Sequence, residues 1–229
     1  MKDLASHLQR IIILAGGKSS RMGISKANLV FHGETFLERL TRTLSPLGLP
    51  IWVLASEAPT SVLSASGKPC SHHVDYDQQS FAGPLMALCG HVSRHPLSPG
   101  AWVFVVGCDT PLVDERFVKT LSQIGAARMR DHLDEVEAIG CRLSDSLDLN
   151  EMAPFPALIS SRFLNSLPQL VKEGERSLFR ALRFRPKVVV EGKLILESLA
   201  DFAAGDLPPW FNVNTPAEYA TLTGLTEPL

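Results

Sequence analysis

Cysteine is scarce in this chain: four in 229 residues, at Cys70, Cys89, Cys108 and Cys141, with no C-x-x-C spacing among them. That excludes a zinc knuckle and a dithiol redox pair, and a disulfide framework is not expected at this length. Net charge is nearly absent, since 22 Lys and Arg stand against 24 Asp and Glu for a balance of −2. A nucleic-acid partner usually requires a basic stripe, so none is expected, and an anionic ligand must be captured by a local site. Long apolar runs are missing too. Ile11–Ala15 falls far short of the roughly 20 residues that cross a bilayer, and the charged stretch Met1–Arg10 does not read as a signal peptide. No membrane association and a cytoplasmic location are the expectation. No Ser/His/Asp grouping can be read. Of the seven histidines, His72 and His73 are adjacent and would face opposite sides of a strand. His91 and His95 have a helical metal-pair spacing, but the following Pro96 makes them read as a surface helix end.

What the chain does have is a strand that empties into glycine and cations. Ile11-Ile12-Ile13 is a β-branched run followed by Leu14-Ala15-Gly16-Gly17-Lys18-Ser19-Ser20-Arg21-Met22-Gly23 and then Lys26. Paired glycines let backbone N–H groups turn toward anionic oxygens with no Cβ in the way, and Arg21 and Lys26 add fixed positive charge. The spacing fits neither a P-loop, because Gly23 is followed by Ile24 and Ser25, nor a dinucleotide fingerprint, because the glycines are adjacent. The reading is a polyphosphate-binding loop, with Ser19 and Ser20 as hydrogen-bond donors rather than nucleophiles.

A second signal is Val105-Val106-Gly107-Cys108-Asp109-Thr110-Pro111, where a buried strand over 102–106 stops at a carboxylate. Open α/β sheets bind ligands at the carboxyl ends of their strands. A single hard oxygen there suits Mg²⁺, which takes one or two carboxylates together with phosphate oxygens and water. Asp75 and Asp77 close another strand just before Gly83-Pro84-Leu85, and either is a candidate for the nucleotide side. Trp210–Pro216 reads as a strand exit on which Asn212 and Asn214, two apart, share a face and a ligand.

Strand and helix patterns alternate through the chain. Strands are expected at 50–55, 73–77, 137–142, 156–160 and 187–191. Helices are expected at 35–47, 85–92, 114–127, 162–172 and 177–184, with another opening at the capping box Thr215-Pro216-Ala217-Glu218. Residues 144–152 read as a loop over or beside the site. The β-α alternation predicts an α/β fold with a mainly parallel sheet in one domain, 1–229, whose halves divide near 128/129.

Taken together, Leu14–Gly17, Arg21-Met22-Gly23, Lys26, Gly83-Pro84-Leu85, Cys108–Pro111 and Asn212-Val213-Asn214-Thr215-Pro216 resemble the molybdenum cofactor guanylyltransferases, the MobA-like nucleotidyltransferases. The resemblance implies a Rossmann-like three-layer nucleotidyltransferase domain with a mixed, mainly parallel sheet. It implies transfer of GMP from Mg-GTP to the phosphate of molybdopterin, with release of pyrophosphate. Handover to cofactor-insertion or molybdoenzyme partner proteins would follow. On the same basis Leu14, Ala15, Gly16 and Gly17 would hold guanine and phosphate, Lys26 and Arg21 phosphate, Asp77 the nucleotide and Asp109 the Mg²⁺. Asn212, Asn214 and Arg176 would face the acceptor. Cytidylyl enzymes of the group tend to have L-A-A-G, so Gly16 points to guanine. The chain departs from the family pattern at Leu54-Ala55-Ser56, at Ala153-Pro154 and at Gly174-Glu175-Arg176, where one arginine stands in place of a pair. The alternatives are a cytidylyl or sugar- or alcohol-phosphate nucleotidyltransferase, and a non-catalytic nucleotide-binding delivery protein.

Overall fold

The computed structural model describes residues 4–16, 25–55, 72–76, 83–129, 135–142, 153–203 and 205–224. The first strand shows how the sequence makes its layers. In β1 (Leu8–Leu14) successive side chains must point to opposite faces, and all four of its last residues are apolar and buried. Ile11 and Ile13 enter one core while Ile12 and Leu14 enter the other. A strand apolar on both faces has to lie between two layers of helices.

The order of elements follows from that. After β1 come a 3₁₀ turn at Lys26–Asn28, a small antiparallel hairpin β2 (Val30–Phe31) and β3 (Glu34–Thr35), and helix α1 (Phe36–Leu44). Strands β4 (Ile51–Ala55) and β5 (His73–Tyr76) precede α2 (Pro84–Arg94). Then follow β6 (Trp102–Gly107), α3 (Glu115–Met129), β7 (Ala138–Arg142), β8 (Ala157–Ser160), α4 (Ser161–Lys172) and α5 (Leu178–Arg183). The chain continues through β9 (Lys187–Glu191), α6 (Gly192–Ser198) and α7 (Pro216–Thr223).

Seven strands make one sheet in the order β5-β4-β1-β6-β8-β7-β9. Its pairs are parallel except that β8 runs antiparallel to both neighbours. The sheet is therefore mixed and mainly parallel, as expected, and three layers thick. One face carries α1, α3 and α6 around Phe104, Phe117 and Ile195, and the other carries α2, α4 and α5 around Leu88, Phe163 and Leu182. A third apolar cluster of Leu29, Phe31, Phe36, Val213, Tyr219 and Leu222 ties the hairpin to α7. None of the described helices is long and apolar enough to cross a membrane.

From β1 the chain builds outward through β4 and β5, then returns to place β6 on the other side of β1. That reversal leaves a crevice at the carboxyl ends of β1 and β6, the position where open α/β sheets receive ligands. The register puts Leu14 level with Gly107, so the glycine-rich exit and the Gly-Cys-Asp exit leave the sheet side by side.

Candidate active site at the carboxyl edge of the sheet

The two exits are stitched together by the backbone. Cys108 N–H donates to Leu14 O at 3.0 Å, and Ala15 N–H donates to Leu54 O at 2.8 Å. These peptide groups of Leu14 and Ala15 are thus spent in holding the edge of the sheet, while Gly16 beyond them is exposed. Gly17 and Arg21, expected at the phosphates, and Asp77, expected on the nucleotide, lie outside the described residues, as does the loop over 144–152.

Asp109 follows β6 after a two-residue turn in which Thr110 N–H and Oγ1–H both donate to Gly107 O. The turn folds the carboxylate back over the strand end. A Cβ placed on Gly107 would overlap Asp109 Oδ1, so a larger residue there forces the carboxylate out of this rotamer. The other oxygen, Oδ2, accepts from Lys26 Nζ at 3.0 Å. The same ammonium donates to Asn214 Oδ1. Lys26, Asp109 and Asn214 come from three distant parts of the chain, and their meeting is the central feature of this edge. Both members of the ion pair keep about a fifth to a quarter of their side-chain surface in solvent, so the pair can still reach an incoming ligand.

The C-terminal segment is held in place by Val213 N–H, which donates to Asp109 O at 2.8 Å. Residues 210–214 are not a strand, as the alternation of amides implied, but an irregular segment pinned to the end of β6 by this bond. Val213 is buried and Asn212 exposed, and of the two amides it is Asn214 that Lys26 engages. Glu218 accepts from the backbone N–H of Asn214 and Thr215 and from the Thr215 hydroxyl, which completes the capping box of α7. Burial acts to raise the Glu218 carboxyl, but these donors outweigh it and hold it below its ordinary range.

Arg176 lies between α4 and α5, exposed, and donates to the carbonyls of Val171 and Glu175. α4 begins beside the amino end of β6, where Ser161 N–H bonds Ala101 O, and runs back toward the other edge. Its end therefore brings Arg176 toward the same edge of the sheet as Asp109, although the two share no contact.

Two expectations are corrected. His91 is not at a surface helix end: it is fully buried, its Nδ1 lies 2.8 Å from Asp75 Oδ2, and its Nε2 lies 3.1 Å from Arg10 Nη1. A guanidinium can only donate, so Nε2 accepts and Nδ1–H donates to the carboxylate. Asp75 is in turn no longer available to a base or ribose, because Arg94 Nη2 takes its second oxygen at 2.6 Å. Asp75, His91 and His95 lie close enough together for a metal ion, yet the guanidinium facing His91 opposes a cation there. Burial also lowers the His91 pKa to about 4. The cluster clamps β1, β5 and α2 together and does not fit Mg²⁺, a hard cation that prefers oxygen.

Asp109 does fit it. One carboxylate, folded over a strand end at a ligand crevice with a lysine ammonium beside it, is the donor set that a phosphate-bound Mg²⁺ takes from a protein. The neighbouring Cys108 offers no nucleophile, since burial and the adjacent Asp109 push its thiol pKa up. Burial likewise pushes Cys141 up to about 12.

Sequence comparison decides the family. The model of the MobA-like NTP transferase domain matches residues 11–188, from β1 to the start of β9. The chain belongs to the MobA-like NTP transferase family. A relative from Rhizobium meliloti, a molybdenum cofactor guanylyltransferase, is 34% identical over 212 residues, covering 90% of this chain and 87% of its own. Among solved structures, the molybdopterin-guanine dinucleotide biosynthesis protein A of Archaeoglobus fulgidus superposes with a TM-score of 0.69 at 15% identity, covering 95% of this chain and 98% of its own. A 4-diphosphocytidyl-2C-methyl-D-erythritol synthase from Anaerococcus prevotii superposes at 0.62 with 12% identity and 98% of each chain covered. At those identities the structures establish the fold alone. In this MobA-like chain the residue that sequence reasoning passed over is Gly107; its signal was a glycine two positions before the carboxylate at a strand end.

Proposed function

We propose that this protein is a molybdenum cofactor guanylyltransferase, transferring GMP from GTP to the terminal phosphate of molybdopterin and releasing pyrophosphate. The observation that carries the reading is the junction of Lys26, Asp109 and Asn214 at the switch point of a MobA-like sheet. The 34% identical guanylyltransferase supports the nucleotide and the acceptor.

The residue types suit such a transfer. The nucleophile is a phosphate oxygen of the acceptor, already ionised at neutral pH, so no protein base is required. What remains is to hold two anions in line and to stabilise the charge that develops on the leaving pyrophosphate. Lys26 supplies positive charge at the crevice, with Arg21 assigned beside it from the sequence. The loop over Leu14, Ala15, Gly16 and Gly17 receives the base and phosphates, and Asp77 the nucleotide. Asn212, Asn214 and Arg176 face the acceptor. Asp109 would hold Mg²⁺, which when bound neutralises phosphate oxygens as a Lewis acid. Lys26 keeps the Asp109 carboxylate aimed into the crevice through its ion pair. A cytoplasmic location and delivery of the product to cofactor-insertion proteins belong to the same proposal.

The purified protein with Mg²⁺ should bind GTP in clear preference to CTP at matched concentrations. Preference for CTP would make it a cytidylyl enzyme, and binding of neither would leave a non-catalytic chain. Asp109→Ala and Lys26→Ala should each lower GMP transfer to molybdopterin by at least about a hundredfold, the scale of losing one preorganised electrostatic group. Pyrophosphate release measures that loss, and an unchanged circular dichroism spectrum separates it from unfolding. Near-normal transfer by either folded variant would overturn the assignment.

A further inference from the structure

A protein of almost no net charge carries, between Arg176 and Lys187, five cations and no carboxylate. The middle of that stretch is α5, and its two sides differ sharply. Leu178 and Leu182 are buried in the core beneath it. The solvent side carries Phe179, Arg180 and Arg183, with Phe184 directly after the helix, and all four are exposed. Phe179 is 42% exposed and Phe184 86%, the most exposed of the large apolar side chains among the described residues. The Arg183 guanidinium lies over the Phe184 ring at 5.5 Å. Phe184 stands almost wholly in water and Phe179 keeps close to half of its surface there, and neither belongs to the Lys26–Asp109–Asn214 junction.

We propose that the outer face of α5 is a docking surface for an acidic segment of another protein. Its composition is that of an interface centre, where aromatic residues and arginine are enriched and lysine is depleted. Charge complementarity fixes the sign of the partner. A second copy of this chain would set the same arginines against one another, which disfavours a symmetric contact. A nucleic acid would need a basic stripe, and a chain of net charge −2 offers only this one short helix. A membrane would need a longer apolar face than one six-residue helix gives. The partner therefore brings an apolar contact for Phe184 and carboxylates for Arg180 and Arg183. Because Phe184 follows α5 on the way to the start of β9, away from the edge that carries Asp109, a docked partner leaves the crevice open.

The test is photo-crosslinking in cells that naturally make the protein, with p-benzoylphenylalanine in place of Phe184 in the full chain. The expected product is an adduct with a different protein, whose cross-linked peptide carries net negative charge. Its yield should fall roughly tenfold in the R180Q/R183E variant, as for loss of two steering charges at an interface. Nucleotidyl transfer by the purified variant should stay at the wild-type rate, which also shows that it has folded. An adduct only with a second copy, with nucleic acid or with lipid would overturn the proposal. So would no adduct, or one that survives the charge substitutions undiminished.

Discussion

At Gly107 a single missing Cβ decides where a carboxylate can stand. The residue does not have a positive φ, so its requirement is one of space: a methyl group there would overlap Asp109 Oδ1. In Gly107→Ala the carboxylate must swing away, loosening its ion pair with Lys26 at 3.0 Å. A misplacement of about 1 Å at a positioning group can cost about a hundredfold in rate, so kcat should fall by that order while the fold persists. The Mg²⁺ concentration giving half-maximal transfer should rise as well. A metal titration of the variant checks both, and a wild-type kcat would show that Asp109 does not need this rotamer. Sequence alone marked Asp109 by its position after a buried strand. The value of Gly107 became visible only when the turn at Thr110 brought the carboxylate back over the strand.

The clamp of β1, β5 and α2 shows the same limit one level up, because each of its charged members comes from a different stretch of sequence. Arg10, Asp75, His91 and Arg94 are joined by bonds of 3.1, 2.8 and 2.6 Å. His73 stacks on Trp52 beside them, and the His95 ring packs tilted against the same indole. Burial holds His91 neutral down to about pH 4, against an ordinary value of 6.5. Burial also acts to raise Asp75, but the bonds from His91 and Arg94 outweigh it and keep that carboxyl below its ordinary range. Between about pH 6.5 and 4 the unfolded chain takes up a proton at this histidine and the native protein does not. The stability present above pH 6.5 is therefore lost as the pH falls, by up to about 3 kcal/mol. Urea unfolding at several pH values in that interval should show a steeper acid loss for the wild type than for His91→Asn. Parallel profiles would mean that His91 is not buried neutral. The following Pro96 made His91 and His95 read as a surface helix end, because a helix stop says where an element finishes and not what lies opposite it. Regular elements with strong periodicity, such as β6 and α3, were legible. The helix α6 and the hairpin β2–β3 were not: α6 starts at Gly192 with no residue between it and β9, and each strand of the hairpin is two residues long.

Across the whole molecule the active edge depends on a clasp between distant segments, which no local pattern could announce. The motifs were readable in chain order, but the contact of Lys26 with Asn214 spans 188 positions. That contact exists because the third apolar cluster draws the hairpin after Lys26 against the segment holding Asn214. Tyr219 adds a hydrogen bond to Val30 O at 2.5 Å. This cluster is separate from the two that flank the sheet, so it can loosen by itself. Val213 lies at its centre, fully buried, with its N–H on Asp109 O. Val213→Ala removes two methyl groups and should cost roughly 2 kcal/mol locally. Regions of low packing open before the core does. Amide hydrogen exchange in the variant should therefore quicken over residues 26–36 and 213–224, while β1, β4 and β6 keep their protection. GMP transfer should fall with it, because Lys26 and Asn214 no longer hold one geometry. Uniform loss of protection across the sheet would show instead that the clasp and the core unfold as one unit, and activity would then follow global stability alone.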